Sequence, residues 1–401
     1  KICSDRGVVD QFNTLCGFSS CDHIWQLMTE VKVTSKKGAG FYFRACRNFL
    51  EGVETQDGKE GKEAVDAVTV SGLGNAIPCA IQTALRLLQA RVALIRKVET
   101  CYVDLGTGSV AQIKILLRHA PFPLLDIMSE KGLSAMRALA PASGPPDVFV
   151  CSYPKSGTTW MQHIVSTLCV GGVKAGEHVS DYTPFFDIDP HWDLEVPQLA
   201  PSIQAKHAKS GRRMFNTHLR WEMMPTHLPA RFVYVVRDGR DTCVSFYHHL
   251  SHQLKKDGSE PVETRDFAAF HSDWIAAKMP FGSWVDHLWS WDAARQDARV
   301  LFVRYEDLLT DLKANVVRIA SHLGVEITDS KLEDLLPKFS FSYMKEHREL
   351  FEPVSVAWKD NFGFIRKGEA KGGTELFTPN LLTDYEHFTA DVPAWYQPAS
   401  S

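Results

Sequence analysis

The clearest hydrophobic pattern in the chain lies between residues 147 and 169. Residues 148–151 form a short apolar run of the kind found in a buried parallel strand. The next five residues, Tyr-Pro-Lys-Ser-Gly, break this run, because proline fixes one backbone angle and glycine frees another. Apolar side chains then recur at helical spacing at Trp160, Met161, Ile164, Val165 and Leu168. The pattern predicts a strand, a tight loop and a helix.

This loop also carries the residues with the clearest chemistry. A strand-to-helix loop aims backbone N–H groups and the positive end of the helix at one point. Lys155 adds a full positive charge there, Gly157 gives the backbone freedom, and hydroxyl donors stand at Ser156, Thr158 and Thr159. The loop therefore predicts an anion site suited to phosphate. It is not the nucleotide triphosphatase P-loop, in which the lysine follows the second glycine instead of preceding one.

Three further apolar runs end in polar residues. Residues 213–215 lead into Asn216, Thr217 and His218; residues 232–236 lead into Arg237; residues 300–303 lead into Arg304 and Tyr305. Helical periodicity follows over 242–254 and 308–323. Strands alternating with helices predict a parallel sheet, whose carboxyl edge collects ligands. Lys155, His218, Arg237 and Tyr305 are expected at that one edge.

The amino-terminal part has a different pattern. Residues 1–24 are irregular, and the pattern from 25 to 118 predicts a small α/β domain of order βαβαββ. Its strands are predicted near 31–35, 67–71, 92–105 and 110–117, its helices near 40–50 and 77–91, and a charged loop at 54–62. Residues 119–146 carry five prolines and predict a linker with one short helix at 128–139. The second domain is expected over 147–401.

Composition adds little to this picture. With 44% hydrophobic residues, 23% charged residues and a net charge of −4, the chain is typical of soluble globular proteins. Its nine scattered cysteines contain no CxxC pair, which favours a reducing, cytoplasmic compartment over disulfides or a zinc site. No apolar run reaches the roughly 18 residues of a membrane span, so no membrane partner is expected.

Residues 153–160, YPKSGTTW, resemble the phosphosulfate-binding loop of the soluble sulfotransferases. Residues 232–250 resemble the segment that holds the 3′-phosphate of the donor, which implies Arg237 and Ser245 as phosphate ligands. Gly282-Ser283-Trp284 with His287 also matches a family turn. The resemblance spans about 146–389 and implies further donor contacts: Trp160, Tyr305 and Phe341 (followed by Met344) near the purine, and Arg366, Lys367 and Gly368 over the 3′-phosphate.

The resemblance implies a three-layer, P-loop-like parallel sheet and a sulfonate donor, 3′-phosphoadenylyl sulfate. The sulfonate would pass in line to a hydroxyl or amine of a small-molecule acceptor whose identity the sequence does not encode. Lys155 and loop N–H groups would stabilise the leaving phosphate. A neutral imidazole suits the base, and His218 is the candidate. No metal is expected, because no ligand cluster stands out in the sequence.

Three positions depart from the family pattern. Lys371-Gly372-Gly373 replace the usual Gly-Asp-Trp, which predicts a looser closing loop. The dimer motif is absent at Thr374, 378–379 and Thr383, so dimers by that route are not expected. Asn216 stands where the family usually has a lysine that contacts the sulfonate, which predicts a slow catalyst. A non-catalytic nucleotide-binding protein, tethered to nucleic acid, therefore stays an alternative, and a small-molecule kinase is a weaker one.

Residues 70–85 and 99–105, VSGLGNAIPCAIQTAL and ETCYVDL, resemble the Alba family of nucleic-acid-binding domains. The resemblance implies RNA or DNA binding through residues 25–118, with dimerisation or a structural role as the alternatives. Pro78 and Cys79 stand where that family usually carries basic residues. Residues 1–120 hold 15 Lys and Arg against 12 Asp and Glu, a weak excess for contacting phosphates. The basic residues that remain in this stretch are Lys32, Lys36, Lys37, Arg44, Arg47, Arg86, Arg91, Arg96 and Lys97. Of these, Lys36, Lys37, Arg44 and Arg47 are the predicted contacts.

Overall fold

A computed structural model describes residues 29–53, 63–65, 67–89, 92–106, 108–119, 128–174, 176–196, 198–366, 368 and 376–396. The chain divides into two compact units, residues 1–122 and 123–401. The predictions made for residues 1–24, for the loop 54–62, for Arg91, for Lys367 and for 371–374 lie outside the described residues. None of the described helices is both long and apolar enough to cross a membrane.

The first unit has the predicted element order. It contains β1 (Thr29–Val33), α1 (Ala39–Glu51), β2 (Ala67–Leu73), α2 (Ile77–Gln89), β3 (Ala93–Asp104) and β4 (Ser109–His119). The strand order is β1-β2-β4-β3, with β1 and β2 parallel and the other pairs antiparallel. Apolar side chains of both helices and one sheet face form a single core. The periodicities of two and 3.6 residues therefore gave the order βαβαββ correctly.

Two basic side chains of the first unit are buried. The ladder between β3 and β4 shifts register between Ile95 and Lys97, and Arg96 and Lys97 are both buried. A bulge of this kind places an extra residue in one strand and turns side chains away from strict alternation. Two of the nine basic residues are therefore not available to a nucleic acid at this surface.

The second unit is built on the predicted parallel sheet. Its strands are β5 (Asp147–Ser152), β8 (Met214–Thr217), β9 (Ala230–Val236) and β10 (Val300–Arg304), in the order β10-β9-β5-β8, and every neighbouring pair is parallel. Two short strands, β6 (Trp192–Asp193) and β7 (Gln198–Leu199), pair with each other outside this sheet. The strand β5 lies between β9 and β8, so the loop that follows it opens at the middle of the sheet edge.

Helices surround this sheet. In chain order they are α3 (Glu130–Arg137), α4 (Thr158–Val170), α5 (Val179–Tyr182), α6 (Pro201–Ser210), α7 (Gly239–His252), α8 (Phe267–Ile275), α9 (Trp284–Asp292), α10 (Tyr305–Thr310), α11 (Leu312–Leu323), α12 (Asp329–Leu335), α13 (Phe341–Glu346) and α14 (Pro379–Thr389). Val148 and Val150 pack with α4 and α11 on one face of the sheet. Phe149 points to the other face and stacks on Phe215 and Phe232, with ring centroids 5.1 and 5.3 Å apart.

The described part of the predicted linker packs onto the second unit. The helix α3 is shorter than the predicted 128–139, and its Leu133 and Met136 are buried. The guanidinium of Arg213 donates to Ala140 O at 2.9 Å, and His227 Nε2 donates to Leu139 O at 2.9 Å. Apolar side chains at helical spacing need a surface to cover them, so this stretch belongs to the unit that it covers.

Candidate active site

The loop between β5 and α4 has an unusual backbone. Lys155 has a φ of 66° and Gly157 a φ of 103°. A lysine in the left-handed region carries conformational strain that the surrounding structure must balance. At Gly157 an added Cβ would lie 2.7 Å from the ring of Tyr305, so glycine is required for that ring to pack against the loop. At both positions, the backbone conformation of the loop depends on the residues packed around it.

This loop has hydrogen-bond donors that are left without a partner among the described residues. Ser156 is 1% exposed, and its Oγ has no hydrogen-bond partner among the described residues. The N-cap residue Gly157 has no side chain to accept from the first N–H groups of α4, which include Thr159. Thr158 Oγ1 is 2.6 Å from Ser152 Oγ. A buried orphan hydroxyl beside an uncapped helix start fits a phosphate-like anion.

Three cationic side chains converge beside the loop. Burial, together with the charges of Arg237 and Arg366, lowers the pKa of Lys155 to about 7. The guanidinium of Arg237 lies over the Tyr305 ring, 4.5 Å from its centroid, donates to Lys155 O at 3.4 Å, and pairs with Asp241 at 3.5 Å. Like charges in one place favour an anionic ligand.

The backbone of His218 is bonded at both its N–H and its C=O. The carboxylate of Asp187, 1% exposed, accepts from the His218 N–H at 2.7 Å and from Thr217 Oγ1 at 2.5 Å. The Nε2–H of His287 donates to His218 O at 3.1 Å, and the hydroxyl of Tyr234 donates to His287 Nδ1 at 2.9 Å. Burial raises the pKa of Asp187 to about 7, although the bonds from Thr217 and His218 oppose this rise.

The imidazole of His218 is held in one tautomer. Its Nδ1 lies 2.8 Å from Ser152 O, and a carbonyl only accepts, so Nδ1 carries the proton and Nε2 is the free acceptor. Burial lowers the pKa of His218 to about 4, the bond to Ser152 opposes the shift, and the charge of Lys155 adds to it. The ring is flanked by Phe185 and Phe281, with centroids 5.4 and 5.2 Å away. The side chain is therefore a neutral proton acceptor at pH 7.

Asn216 lies at the same strand end, and its carboxamide bonds to the backbone at Thr183. It is 8% exposed, and its Nδ2 donates to Thr183 O at 2.6 Å. Gln162 Nε2 donates to the same carbonyl at 3.1 Å. One amide N–H of Asn216 is thus used to hold the chain at Thr183.

Four of the residues expected near the purine and the 3′-phosphate form two contacting pairs. Trp160 donates its indole N–H to Phe339 O at 2.8 Å and meets the Tyr305 ring edge-on, with centroids 5.4 Å apart. Gly368 has a φ of 67°, and an added Cβ there would overlap the ring of Phe341. The hydroxyl of Ser245 is half-buried on α7. Lys367 lies outside the described residues.

Several side chains at this site were not selected from the sequence. His249 Nδ1 lies 3.3 Å from Lys155 Nζ, which in turn lies 3.9 Å above the ring of Phe364. The acid at the end of the apolar run 184–186, Asp187, could have suggested a buried carboxylate. No comparable signal marks His249, one of two adjacent histidines. Among the described residues, no three His, Cys, Asp or Glu side chains are grouped to hold a metal ion.

Comparison with known proteins assigns the part of the chain that carries this site to a family. The family model of the sulfotransferase domain matches residues 145–393. The chain is 27% identical over 260 residues to sulfotransferase 1 family member D1 of Rattus norvegicus, covering 62% of this chain and 82% of the relative. It is 28% identical over 244 residues to sulfotransferase 1C2 of Homo sapiens, covering 58% and 78%.

Two solved structures of that family or fold are similar to this chain. Mouse sulfotransferase SULT7A1, complexed with PAP, has a TM-score of 0.51 and 25% identity, covering 66% of this chain and 89% of that one. Retinol dehydratase, in complex with androsterone and the inactive cofactor PAP, shares the fold with a TM-score of 0.53 and 23% identity, covering 75% and 92%. ALBA1 of Trypanosoma brucei covers 23% of this chain with a TM-score of 0.18, which carries no argument about the first unit.

Proposed function

Because this chain belongs to the sulfotransferase family, we propose that its sulfonate donor is 3′-phosphoadenylyl sulfate and its acceptor a hydroxyl or amine of a small molecule. The observation that carries the proposal is the pairing of an anion loop with a base. Ser156 offers a buried, unused hydroxyl beside three cations, and His218 offers a neutral Nε2 at the same sheet edge. Relatives crystallised with PAP support this choice of donor.

We assign the donor-binding residues by the resemblance of the segments that carry them to the sulfotransferase family. The phosphosulfate end would contact Lys155, Ser156, Gly157, Thr158 and Thr159. The 3′-phosphate and the purine would contact residues of four further segments: Trp160, Arg237, Ser245, Tyr305, Phe341, Arg366, Lys367 and Gly368. The orphan hydroxyl of Ser156 fits this group, since it gains a partner when an anion binds, and the like charges of Lys155, Arg237 and Arg366 favour such a ligand.

When bound, the donor supplies a sulfonate group and a phosphate that leaves with the electron pair of the broken sulfur–oxygen bond. His218 Nε2 accepts the proton of the acceptor hydroxyl as the new bond to sulfur forms. The Lys155 ammonium faces the negative charge that develops on the released phosphate oxygen. Asp187 and His287 keep the base in place through its backbone, so the imidazole need not reorganise during the reaction.

Asn216 sets the expected rate. Its carboxamide brings hydrogen bonds but no charge, and charged donors bond about twice as strongly as neutral ones. A loss of about 1–3 kcal/mol in the transition state is roughly one to two decades in rate. Asn216→Lys should therefore raise turnover and leave nucleotide affinity unchanged. The substitution also removes the bond from Asn216 to Thr183 O, which then keeps the bond from Gln162. No turnover in either form, with nucleotide still bound, would favour the non-catalytic alternative.

The donor assignment is tested by ligand-induced stabilisation. A ligand that binds only the native state adds about 2.7 kcal/mol at 100 times its Kd. Adenosine 3′,5′-bisphosphate should raise the melting temperature, and ATP at the same concentration should raise it far less, because ATP lacks a 3′-phosphate for Arg237 and Arg366. Arg237→Ala is the matched control and should reduce the difference, because Arg366 remains. Equal stabilisation by both nucleotides would overturn the donor assignment.

For the first unit we propose, as a separate function, RNA or DNA binding through exposed basic side chains near α1. Lys36, Lys37 and Arg44 are exposed. By contrast, Lys32 is 3.7 Å from Glu30, and Arg47 pairs with Glu51. The remaining surface charge is modest, so a weak, salt-sensitive interaction is expected. A cytoplasmic location stays a prediction from the cysteine pattern.

A further inference from the structure

The ammonium of Lys155 lies between an imidazole and an aromatic face. Its Nζ is 3.3 Å from His249 Nδ1 and 3.9 Å above the centroid of Phe364. The His249 ring is itself fixed, with its centroid 5.1 Å from Trp358 and 5.9 Å from Phe364. These contacts join the loop after β5, the helix α7 and the segment that leads into Arg366. They hold the end of a long side chain that would otherwise be mobile.

The direction of the hydrogen bond is set by the donors available. An ammonium can only donate, so His249 Nδ1 accepts and the imidazole proton is on Nε2. Burial lowers the pKa of His249, and the charge of Lys155 lowers it further, so the imidazole stays neutral. Within the described part of the chain, Asp241 pairs with Arg237, Glu306 pairs with Arg304, and no ion pair involves Lys155.

A neutral partner has a specific consequence for a lysine that must stabilise a leaving group. A carboxylate at this place would also fix the side chain, but it would cancel the charge that the reaction needs. The imidazole fixes the ammonium and leaves its charge intact. We propose that His249 is a positioning residue, which holds the Lys155 ammonium toward the leaving phosphate without neutralising it. This inference rests on the proposed function, in which Lys155 serves that phosphate.

Three substitutions separate this role from simple packing. His249→Phe keeps a ring of similar size but removes the acceptor, His249→Asn restores an acceptor, and His249→Glu introduces a charge that pairs with Lys155. His252→Phe is the matched control: it lies on the same helix, stacks on Phe362 at 4.4 Å, and bonds to His248 O rather than to Lys155. Thermal unfolding and bisphosphate affinity show that each variant is folded.

Two readouts are measured on the full chain. In steady-state assays with saturating donor and acceptor, His249→Phe should lower turnover roughly 3- to 10-fold, His249→Asn should recover most of it, and His249→Glu should lose more than His249→Phe. At a pH well below the pKa of Lys155, where every variant keeps the ammonium, bisphosphate affinity should be unchanged in His249→Phe and His249→Asn. His252→Phe should behave as the parent in every measurement.

The second readout needs no turnover. In the ligand-free protein with ¹³C-labelled lysines, the Lys155 signal is identified by its loss in Lys155→Arg and followed against pH. Arg237, Arg366 and the neutral His218 face the ammonium in every variant, so differences report on His249. The pKa of Lys155 should fall in His249→Phe, return in His249→Asn and rise in His249→Glu.

The outcomes distinguish the two proposals. An unchanged Lys155 titration and unchanged turnover in His249→Phe would overturn the role of His249. A shifted titration in a protein that transfers no sulfonate from any donor would instead overturn the proposed function, while leaving the contact between the two residues established.

Discussion

The affinity for a bisphosphate nucleotide should fall as pH rises above 7, because of one side chain. Burial, with Arg237 and Arg366, lowers the pKa of Lys155 to about 7 in the ligand-free protein. A bound phosphate is an opposite charge beside the ammonium and raises that pKa again. Binding therefore takes up a proton at any pH above about 7. Affinity is highest when Lys155 is already protonated and declines as it deprotonates.

The magnitude follows from linkage. If the bound form keeps Lys155 protonated, Kd should rise about fivefold from pH 7 to pH 8 and about tenfold more from pH 8 to pH 9. The secondary ionisation of the phosphates is complete in this window, since it occurs near pH 6. His218, with a pKa of about 4, stays neutral throughout, and the arginines stay charged.

Isothermal titration calorimetry measures both quantities. Titrations of adenosine 3′,5′-bisphosphate at pH 7, 8 and 9, each in two buffers of different ionisation enthalpy, give Kd and the number of protons taken up. Lys155→Arg is the control, because a guanidinium keeps its charge and should give a nearly constant Kd. A parent protein whose Kd is as constant as that of Lys155→Arg would refute the reasoning.

Three further outcomes are expected. His218→Ala should lower turnover roughly 10²–10⁴-fold and leave bisphosphate affinity nearly intact; a collapse of that affinity, measured by the same calorimetry, would make His218 a structural residue. Asp187→Ala should lower the free energy of unfolding in urea by about 1–3 kcal/mol, because the His218 N–H and the Thr217 hydroxyl lose their acceptor. Asp187→Asn should lower it by less. Equal stability of Asp187→Ala and the parent would contradict this. Retention of the full chain on mixed RNA and DNA should fall with added salt and in Lys36→Ala/Lys37→Ala; no salt-sensitive retention would favour a structural role for the first unit.

The elements that could be predicted are those whose local pattern and tertiary contacts agree. Residues 148–151 alternate between two apolar faces, and both faces are buried in the sheet, so the run of apolar side chains was sufficient. The periodic stretch 308–323 contains a break, because Asp311 ends α10 and its side chain accepts from Ala314 N to begin α11. Capping by an aspartate within an apolar periodicity is a local signal that the hydrophobic pattern alone does not contain.

The residues of the candidate site also divide into those that the sequence predicts and those that it does not. Lys155, Arg237 and His218 follow strand ends, where the topology of a parallel sheet brings them together. Asp187 and His249 lie far along the chain from the residues that they bond, His218 and Lys155, and no periodicity links the pairs. The roles of these two residues depend on which atoms meet in three dimensions. They could therefore be found only once the loops were in place.

The most direct test of sulfonate transfer is an assay with ³⁵S-labelled 3′-phosphoadenylyl sulfate against phenols, alcohols, amines and sugars. The parent protein should transfer label to at least one acceptor class and release adenosine 3′,5′-bisphosphate in equal amount. His218→Ala, binding the bisphosphate as the parent does, should transfer roughly 10²–10⁴-fold more slowly. A parent protein that binds the bisphosphate but transfers label no faster than His218→Ala would contradict the account.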